Sequence, residues 1–473
     1  MGALVILLIP LLAAVLVYAL RRWQNVAALI AISVSLGLGL ILILVPVDQP
    51  LELFGREVLL GSGTALMGRE LVFEAADRAA LAFLMLTGAG FFLLSWRLEP
   101  QSLLLPVGSA LLGLLGGVLL IRPLIYAGLL LQIAAALSLF PLHADPKTPI
   151  RGGLRYLTFF TLALPGVMVS HWLLDMYAIN PDQTEYLAAA AALIGFSFAL
   201  LLGVTPFHLW VPAVGRDGTP LASAFLFSAV GGTVWFLLLD YLQVYPGLSE
   251  SPGWSATFTA LGAITVLVGG LLGMTRRGAG TLMGYAIMVD TGLLLLTMSH
   301  PSRTSIGIGV MMIFARPWGA AVMAGGMTGL RARSNGAQAP DGLGLQAPWS
   351  TIALGVGALS LIGFPPTIGF VARWGAWRLL FEAEPAIALV LLLASMGPLV
   401  GLLRLLHQLL TPPGKTIGLG KQEKDPPPPL PPEPQVVTLL FLLFALGILA
   451  LGLFPQGLAA LAARVASSFA ILP

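Results

Sequence analysis

Cysteine is absent from this 473-residue sequence. That excludes disulfides, thiolate metal ligands and iron–sulfur ligation together. Lysine is nearly absent too: the only four are Lys147, Lys415, Lys421 and Lys424. Charge of either sign is scarce, at 10% of residues against 58% hydrophobic. A soluble protein of this length needs far more charge to cover its surface. The five histidines, His143, His171, His208, His300 and His407, show no metal-ligand spacing. No phosphate loop, nucleotide fingerprint or hydrolytic triad is visible. The expectation is a chain with no catalytic residues, no metal, no cofactor and no nucleic-acid partner, whose main solvent is membrane lipid.

What the sequence has is apolar length. Runs of roughly 18 to 25 residues recur from end to end, each able to cross a hydrocarbon core of roughly 30 Å. Spanning segments in lipid must satisfy their own backbone hydrogen bonds, so the runs are expected to be helices. Their expected limits are 2–20, 25–46, 78–96, 102–121, 123–142, 154–174, 186–206, 218–243, 255–274, 279–299, 304–329, 348–370, 384–410 and 436–455. The fold class is therefore all-α and polytopic, with about 14 transmembrane helices. The first run is too long for a signal-peptide core and lacks a small-residue cleavage site, so it reads as a retained span.

Basic residues such as Arg21, Arg22, Arg97, Arg151, Arg276, Arg277, Arg331 and Arg333 follow odd-numbered spans. Acids such as Asp182, Glu185 and Glu250 follow even-numbered ones. The positive-inside rule then places the odd loops in the cytoplasm and both termini outside. A bacterial inner membrane is the simplest location, and a thylakoid membrane would give the same pattern. Residues 1–100 form spans 1–3 with an extracytoplasmic loop, 47–77, of hairpin character. A proline-rich cytoplasmic linker, 412–435, reads as a spacer before the C-terminal span and tail, 436–473.

Two sites interrupt spans with proline in a polar setting. One runs Pro206-Phe207-His208-Leu209-Trp210-Val211-Pro212 and leads into Gly218-Thr219-Pro220. The other is Gly363-Phe364-Pro365-Pro366-Thr367-Ile368-Gly369-Phe370, followed by Arg373. Proline removes a backbone donor and frees carbonyls at depth, so Pro206, Pro212, Pro365 and Pro366 are expected helix breaks. Broken helices at matching positions of two halves point to an ion-handling site. The breaks fall in spans 7 and 12, five apart, as two inverted five-helix repeats (spans 4–8 and 9–13, residues 101–245 and 254–411) would place them.

These residues carry a resemblance. The Pro206–Pro212 run with Gly218-Thr219-Pro220 and the small-residue helix 222–230 resembles the signature of the antiporter-like membrane subunits of respiratory complex I. Arg151-Gly152-Gly153-Leu154-Arg155-Tyr156, Tyr285 to Gly292, and Gly363 to Arg373 resemble further segments of that family in order. Related members serve in Mrp-type sodium–proton antiporters and membrane-bound hydrogenases. The long lateral helix of the largest complex I member has no counterpart here, and a basic residue ends the twelfth-helix motif. Both points resemble the N-type subunit or the D-type Mrp subunit. The resemblance implies partners: membrane lipid, other antiporter-like subunits and the redox subunits of a multi-subunit complex.

It also implies a relay of titratable groups: a glutamate in span 5, lysines in spans 7 and 8, and a lysine or glutamate in span 12. Such groups work because burial and neighbours can move their pKa across the working pH, whereas arginine stays protonated. Here the span-5 position falls on Gln132, the span-7 position on Leu201 and the span-8 position on Val230 or Gly231. The span-10 histidine position reads Asp290, span 11 offers Arg316 beside Pro317, and span 12 offers Arg373. The family's titratable positions are thus lost at Gln132, Leu201 and Gly231. Asp290 is the deepest acid, expected to pair with an arginine or to hold a proton. His208 is expected to bond the freed carbonyls or to titrate. Arg373 is expected to serve as an electrostatic gate or a partner-facing charge. Asp240, Arg155 and Arg404 lie nearer span ends, where snorkelling to the interface is the expectation.

Two functions follow. One is a structural, ion-sealing membrane-arm subunit whose proton path is reduced. The other is an active proton or cation transporter with a rewired path through His208, Asp290, Arg316, Arg373 and Gln132. A quinone-reactive role has no ligand set to support it.

Overall fold

A computed structural model describes residues 2–45, 51–53, 56–58, 64–66, 69–100, 102–143, 149–275, 278–334, 342–411 and 431–469. All four lysines, Arg276, Arg277 and most of the proline-rich linker lie outside them. In chain order the first part comprises α1 (Gly2–Ala19), α2 (Gln24–Leu44), β1 (Leu51–Leu53), β2 (Arg56–Val58), β3 (Thr64–Leu66) and β4 (Arg69–Leu71). There follow α3 (Ala75–Leu98), α4 (Leu104–Leu120), β5 (Ile121–Arg122), α5 (Ile125–Leu142), α6 (Arg151–Ile179) and α7 (Thr184–Leu202). The central part holds α8 (Trp210–Asp217), α9 (Pro220–Phe225), α10 (Gly231–Val244), α11 (Gly247–Glu250), α12 (Trp254–Thr275), α13 (Ala279–Thr297) and α14 (Arg303–Arg333). The chain ends with α15 (Leu343–Gln346), α16 (Pro348–Ile362), α17 (Ile368–Ala383), α18 (Pro385–Ser395), α19 (Gly397–Leu410), α20 (Gln435–Leu453) and α21 (Gln456–Ser468).

The protein is an all-α, multi-pass integral membrane protein. Among the described residues, 11 helical runs are long and apolar enough to cross a bilayer, and α1, α4 and α16 are shorter apolar helices. Large apolar side chains such as Leu12, Val15, Val390, Leu393 and Leu443 stand exposed on outward faces. In water they would be a liability; against lipid tails they are in their proper solvent. The expected hairpins in the 47–77 loop are present: β1 pairs antiparallel with β2 and β3 with β4. β5, in the turn between α4 and α5, adds a third strand against β4, with Glu70 opposite Arg122.

Both expected interruptions are real, and they share one local geometry. α7 ends at Gly203 with φ 66°, and α16 ends at Gly363 with φ 80°. Positive φ costs a residue with a Cβ about 1 kcal/mol or more, so glycine is the natural residue at both points. The next amide closes each end on the carbonyl five residues back, Val204 on Ala199 and Phe364 on Leu359, both at 2.9 Å. A cis proline follows three residues after each glycine, at Pro206 and Pro366. Pro212 departs from expectation. It sits in the first turn of α8 rather than at a break, where the missing N–H has no intrahelical carbonyl to serve. Span 12 also runs further than expected, since α17 continues it to Ala383.

Close helix packing sets the interior. A Cβ on Gly357 of α16 would collide with the Met323 amide nitrogen of α14, so the two backbones nearly touch, as small residues allow in membrane bundles. This contact fixes α14 against the broken span from which Arg373 projects.

Candidate functional site

The site lies where α13, α14 and α17 meet. α14 begins at a reciprocal cap, with the Ser305 amide donating to Ser302 Oγ at 3.1 Å and the Ser302 amide to Ser305 Oγ at 2.8 Å. It then runs 31 residues and carries Arg316 near its middle. α13 carries Asp290 and is buried almost throughout. α17, restarted after the break, brings in Arg373 from the third side.

The three side chains form one ionic unit. Arg316 Nε donates to Asp290 Oδ2 at 2.8 Å, and Arg373 Nε donates to Asp290 Oδ1 at 3.2 Å. Their residues are 6% (Asp290), 4% (Arg316) and 4% (Arg373) exposed. Arg373 makes two further bonds, from Nη1 to the Ile362 carbonyl at 2.5 Å and from Nη2 to the Ala286 carbonyl at 3.4 Å. Ile362 is the last residue of α16, so the guanidinium caps the carbonyl end of the first half-helix, where the dipole favours positive charge. In the other break a neutral side chain reaches the helix end: the Trp210 indole N–H donates to the Leu200 carbonyl at 3.2 Å, which also accepts the Gly203 amide at 3.3 Å.

Charge does not balance within this unit. One carboxylate faces two guanidiniums, which leaves one positive charge uncompensated inside a low-dielectric interior. A cavity of about 10 Å³ adjoins it, lined by Asp290, Arg316, Ser360, Arg373 and apolar neighbours. That is room for about one water. Arg316 Nη2 and Ser360 Oγ are buried without hydrogen-bond partners.

The structure treats the sequence-derived candidates unequally. It brings Asp290, Arg316 and Arg373 together, and the expected pairing of Asp290 with arginine is found twice over. The partner-facing role for Arg373 is corrected, because the residue is enclosed by α13 and α16. His208 is not among the residues lining the cavity. His208 Nδ1 is buried without a partner. Gln132 Nε2 donates to Thr161 Oγ1 at 2.7 Å, tying α5 to α6. Leu201 is buried among apolar residues. Gly231 borders the ionic unit, since a Cβ there would stand 3.3 Å from Arg316 Nη1. It follows a π-helical segment, Leu226–Val230, a local widening often found at functional positions.

Residues 160–397 match the family described as NADH:quinone oxidoreductase/Mrp antiporter, TM. The chain belongs to this family. It is similar to NADH-quinone oxidoreductase subunit N of Acidithiobacillus ferrooxidans, 28% identical over 298 residues that cover 58% of this chain and 60% of that protein. The chain spans only part of the curated relatives it matches, from 46% to 60% of the first three. In fold it resembles a chain of the membrane-bound sulfane sulfur reductase, an archaeal respiratory membrane complex, with a TM-score of 0.79 and 17% identity, covering 99% of this chain and 97% of that one. It also resembles a chain of respiratory complex I from Thermus thermophilus, with a TM-score of 0.73 and 19% identity, covering 99% and 100%.

One group of buried charges was misread in the sequence. Asp240 does not snorkel; it is 4% exposed and faces Arg122, whose Nη2 lies 3.8 Å from Asp240 Oδ2. Asp77, at the start of α3, is 3% exposed beside it. Neither pattern is readable locally, because Arg122 comes from a turn and Asp77 lies 163 positions before Asp240.

Proposed function

We propose that the chain is an antiporter-like membrane-arm subunit of a complex I-type, redox-driven assembly, whose central polar axis is closed to protons by Arg316, Asp290 and Arg373. The observation that carries this reading is the pairing of one buried carboxylate with two arginines, in a sequence whose four lysines all fall between the expected spans. A relay needs groups that exchange protons near neutral pH, and arginine is poor at this. The surplus positive charge opposes the passage of protons and other cations, as a fixed arginine does in selective pores. Family membership and likeness to subunit N of an NADH-quinone oxidoreductase support the assembly.

In this reading the chain has fourteen spans in a bacterial inner membrane, with both termini extracytoplasmic. Spans 4–8 and 9–13 form two inverted repeats, a division supported by the shared geometry of the two breaks. Its partners are redox subunits and other antiporter-like subunits. Extraction of native membranes in mild detergent, isolation of the chain and identification of co-purifying proteins tests the assembly. Redox and antiporter-like partners are expected; Mrp partners alone, or none, contradict it. Arg373→Gln removes the surplus positive charge, so a proton leak absent from the natural protein is expected; an unchanged, sealed variant would show that the surplus charge is not the barrier.

A second reading, an active transporter using Asp290, draws on the water-sized polar cavity beside the ion pairs. Asp290→Asn would then abolish transport with the protein still in the membrane.

A further inference from the structure

A second buried charge cluster lies apart from the helices that carry Asp290, Arg316 and Arg373. It is built from the outer turns of α3 and α10 and from β5, on the face of the 47–77 loop. Asp77 Oδ2 accepts the Glu74 amide at 2.9 Å, which caps α3. Gln243 Nε2 donates to Glu74 at 2.7 Å, which holds the end of α10 against the start of α3, three residues from Asp240 and from Asp77. Arg122 is the cation of the cluster: Nη1 holds the Leu119 and Ile121 carbonyls at 3.1 and 3.2 Å, and Nη2 lies 3.8 Å from Asp240 Oδ2. Glu74 also faces the cluster, but it is exposed, so solvent screens its charge.

Two enclosed carboxylates thus share one arginine, the reverse of the imbalance at the centre. Buried like charges at close range cannot both ionise without a counter-charge. Two orphan atoms mark where the imbalance falls. Asp240 Oδ2 is buried with no hydrogen-bond donor, and the hydroxyl of the adjacent, wholly buried Tyr241 also has no partner. No group of three acidic or histidine side chains suited to a metal exists among the described residues.

We propose that Asp77 and Asp240 form a proton-binding site that holds one proton between them, with Arg122 balancing the remaining carboxylate. A single proton cancels the surplus charge and converts one buried anion into a neutral carboxyl group. The site does not depend on the reading of the central cluster, since it shares none of its residues.

The test uses the full-length chain in nanodiscs with dicyclohexylcarbodiimide, which reacts with protonated carboxyl groups in apolar surroundings, followed by peptide mapping. Modification of Asp77 or Asp240 at neutral pH is expected. Asp77→Asn should reduce modification of Asp240, and Asp240→Asn that of Asp77, by at least about tenfold, because one carboxylate matched to one arginine needs no proton. Infrared spectra of the same samples supply a second readout: a protonated-carboxyl band present in the natural protein and absent from both variants. Modification that persists in the partner variant, or no modification together with no such band, overturns the proposal. Protection by sodium at constant pH would identify a cation in place of the proton, and would also overturn it.

Discussion

Arg316 Nη1 occupies the space next to Gly231, where a Cβ would stand only 3.3 Å away. The relationship ties a gain to a loss. The resemblance places a span-8 lysine at Val230 or Gly231, and here a guanidinium from α14 reaches the same region from the opposite side. In the proposed reading the positive charge is kept there without a titratable lysine.

Gly231→Lys should therefore fail to restore a relay and should lower stability. Gly231 has an ordinary helical φ of −61°, so the backbone accepts a side chain. A second cation at about 4 Å from Arg316 is opposed by roughly 4 kcal/mol at an effective dielectric of about 20. Pairing Gly231→Lys with Arg316→Met should recover most of the loss. Thermal unfolding in detergent, arranged as a double-mutant cycle, measures the coupling; additive losses would show that the two positions do not meet.

Removing the acid should hurt more than removing one base. Asp290→Asn leaves two buried guanidiniums facing each other, and breaking a buried pair this way costs about 3–5 kcal/mol. Arg373→Gln leaves Asp290 balanced by Arg316, so a smaller loss is expected, mainly from the exposed end of α16. Unfolding temperatures of the two variants give the order directly.

The end of the linker also carries structural weight. Glu433 accepts the Trp349 amide at 2.8 Å and the Ser350 amide at 3.0 Å, and it also accepts the Ser350 hydroxyl. These are the first amides of α16, and Glu433 acts as their cap from a distance. Glu433→Ala should cost about 0.5–2 kcal/mol. Faster proteolysis after α15 would report the same change.

Acid should weaken the junction of α5 with α8. Burial lowers the pKa of His143 from its ordinary value near 6.5, with the charge of Asp217 pulling the other way. The unfolded chain then binds this proton more readily than the folded one. Stability is fully present above the ordinary value and declines as pH falls through it toward the folded value. His143→Gln should flatten that part of the stability profile, as followed by tryptophan fluorescence.

How much of this was legible in the sequence depends on the range of the signal. Spans were readable because apolar length is a local property, and the breaks because Gly203, Pro206, Gly363 and Pro366 are local too. Pro212 misled because a proline in a first turn and a proline at a break look alike in sequence. Asp290, Arg316 and Arg373 could be named as deep charges, but their union needed three helices to meet. Asp77, Arg122 and Asp240 went unread as a group because nothing in their spacing joins a helix start, a turn and a helix end.

The most direct test of the sealed-centre account is proton flux through the purified chain in proteoliposomes under an imposed pH gradient, with a pH-sensitive dye inside. The account predicts flux equal to that of protein-free vesicles, and unchanged in Asp290→Asn protein that remains folded. Flux above that level, lost in the Asp290→Asn variant, would contradict it and establish Asp290 as part of a working path.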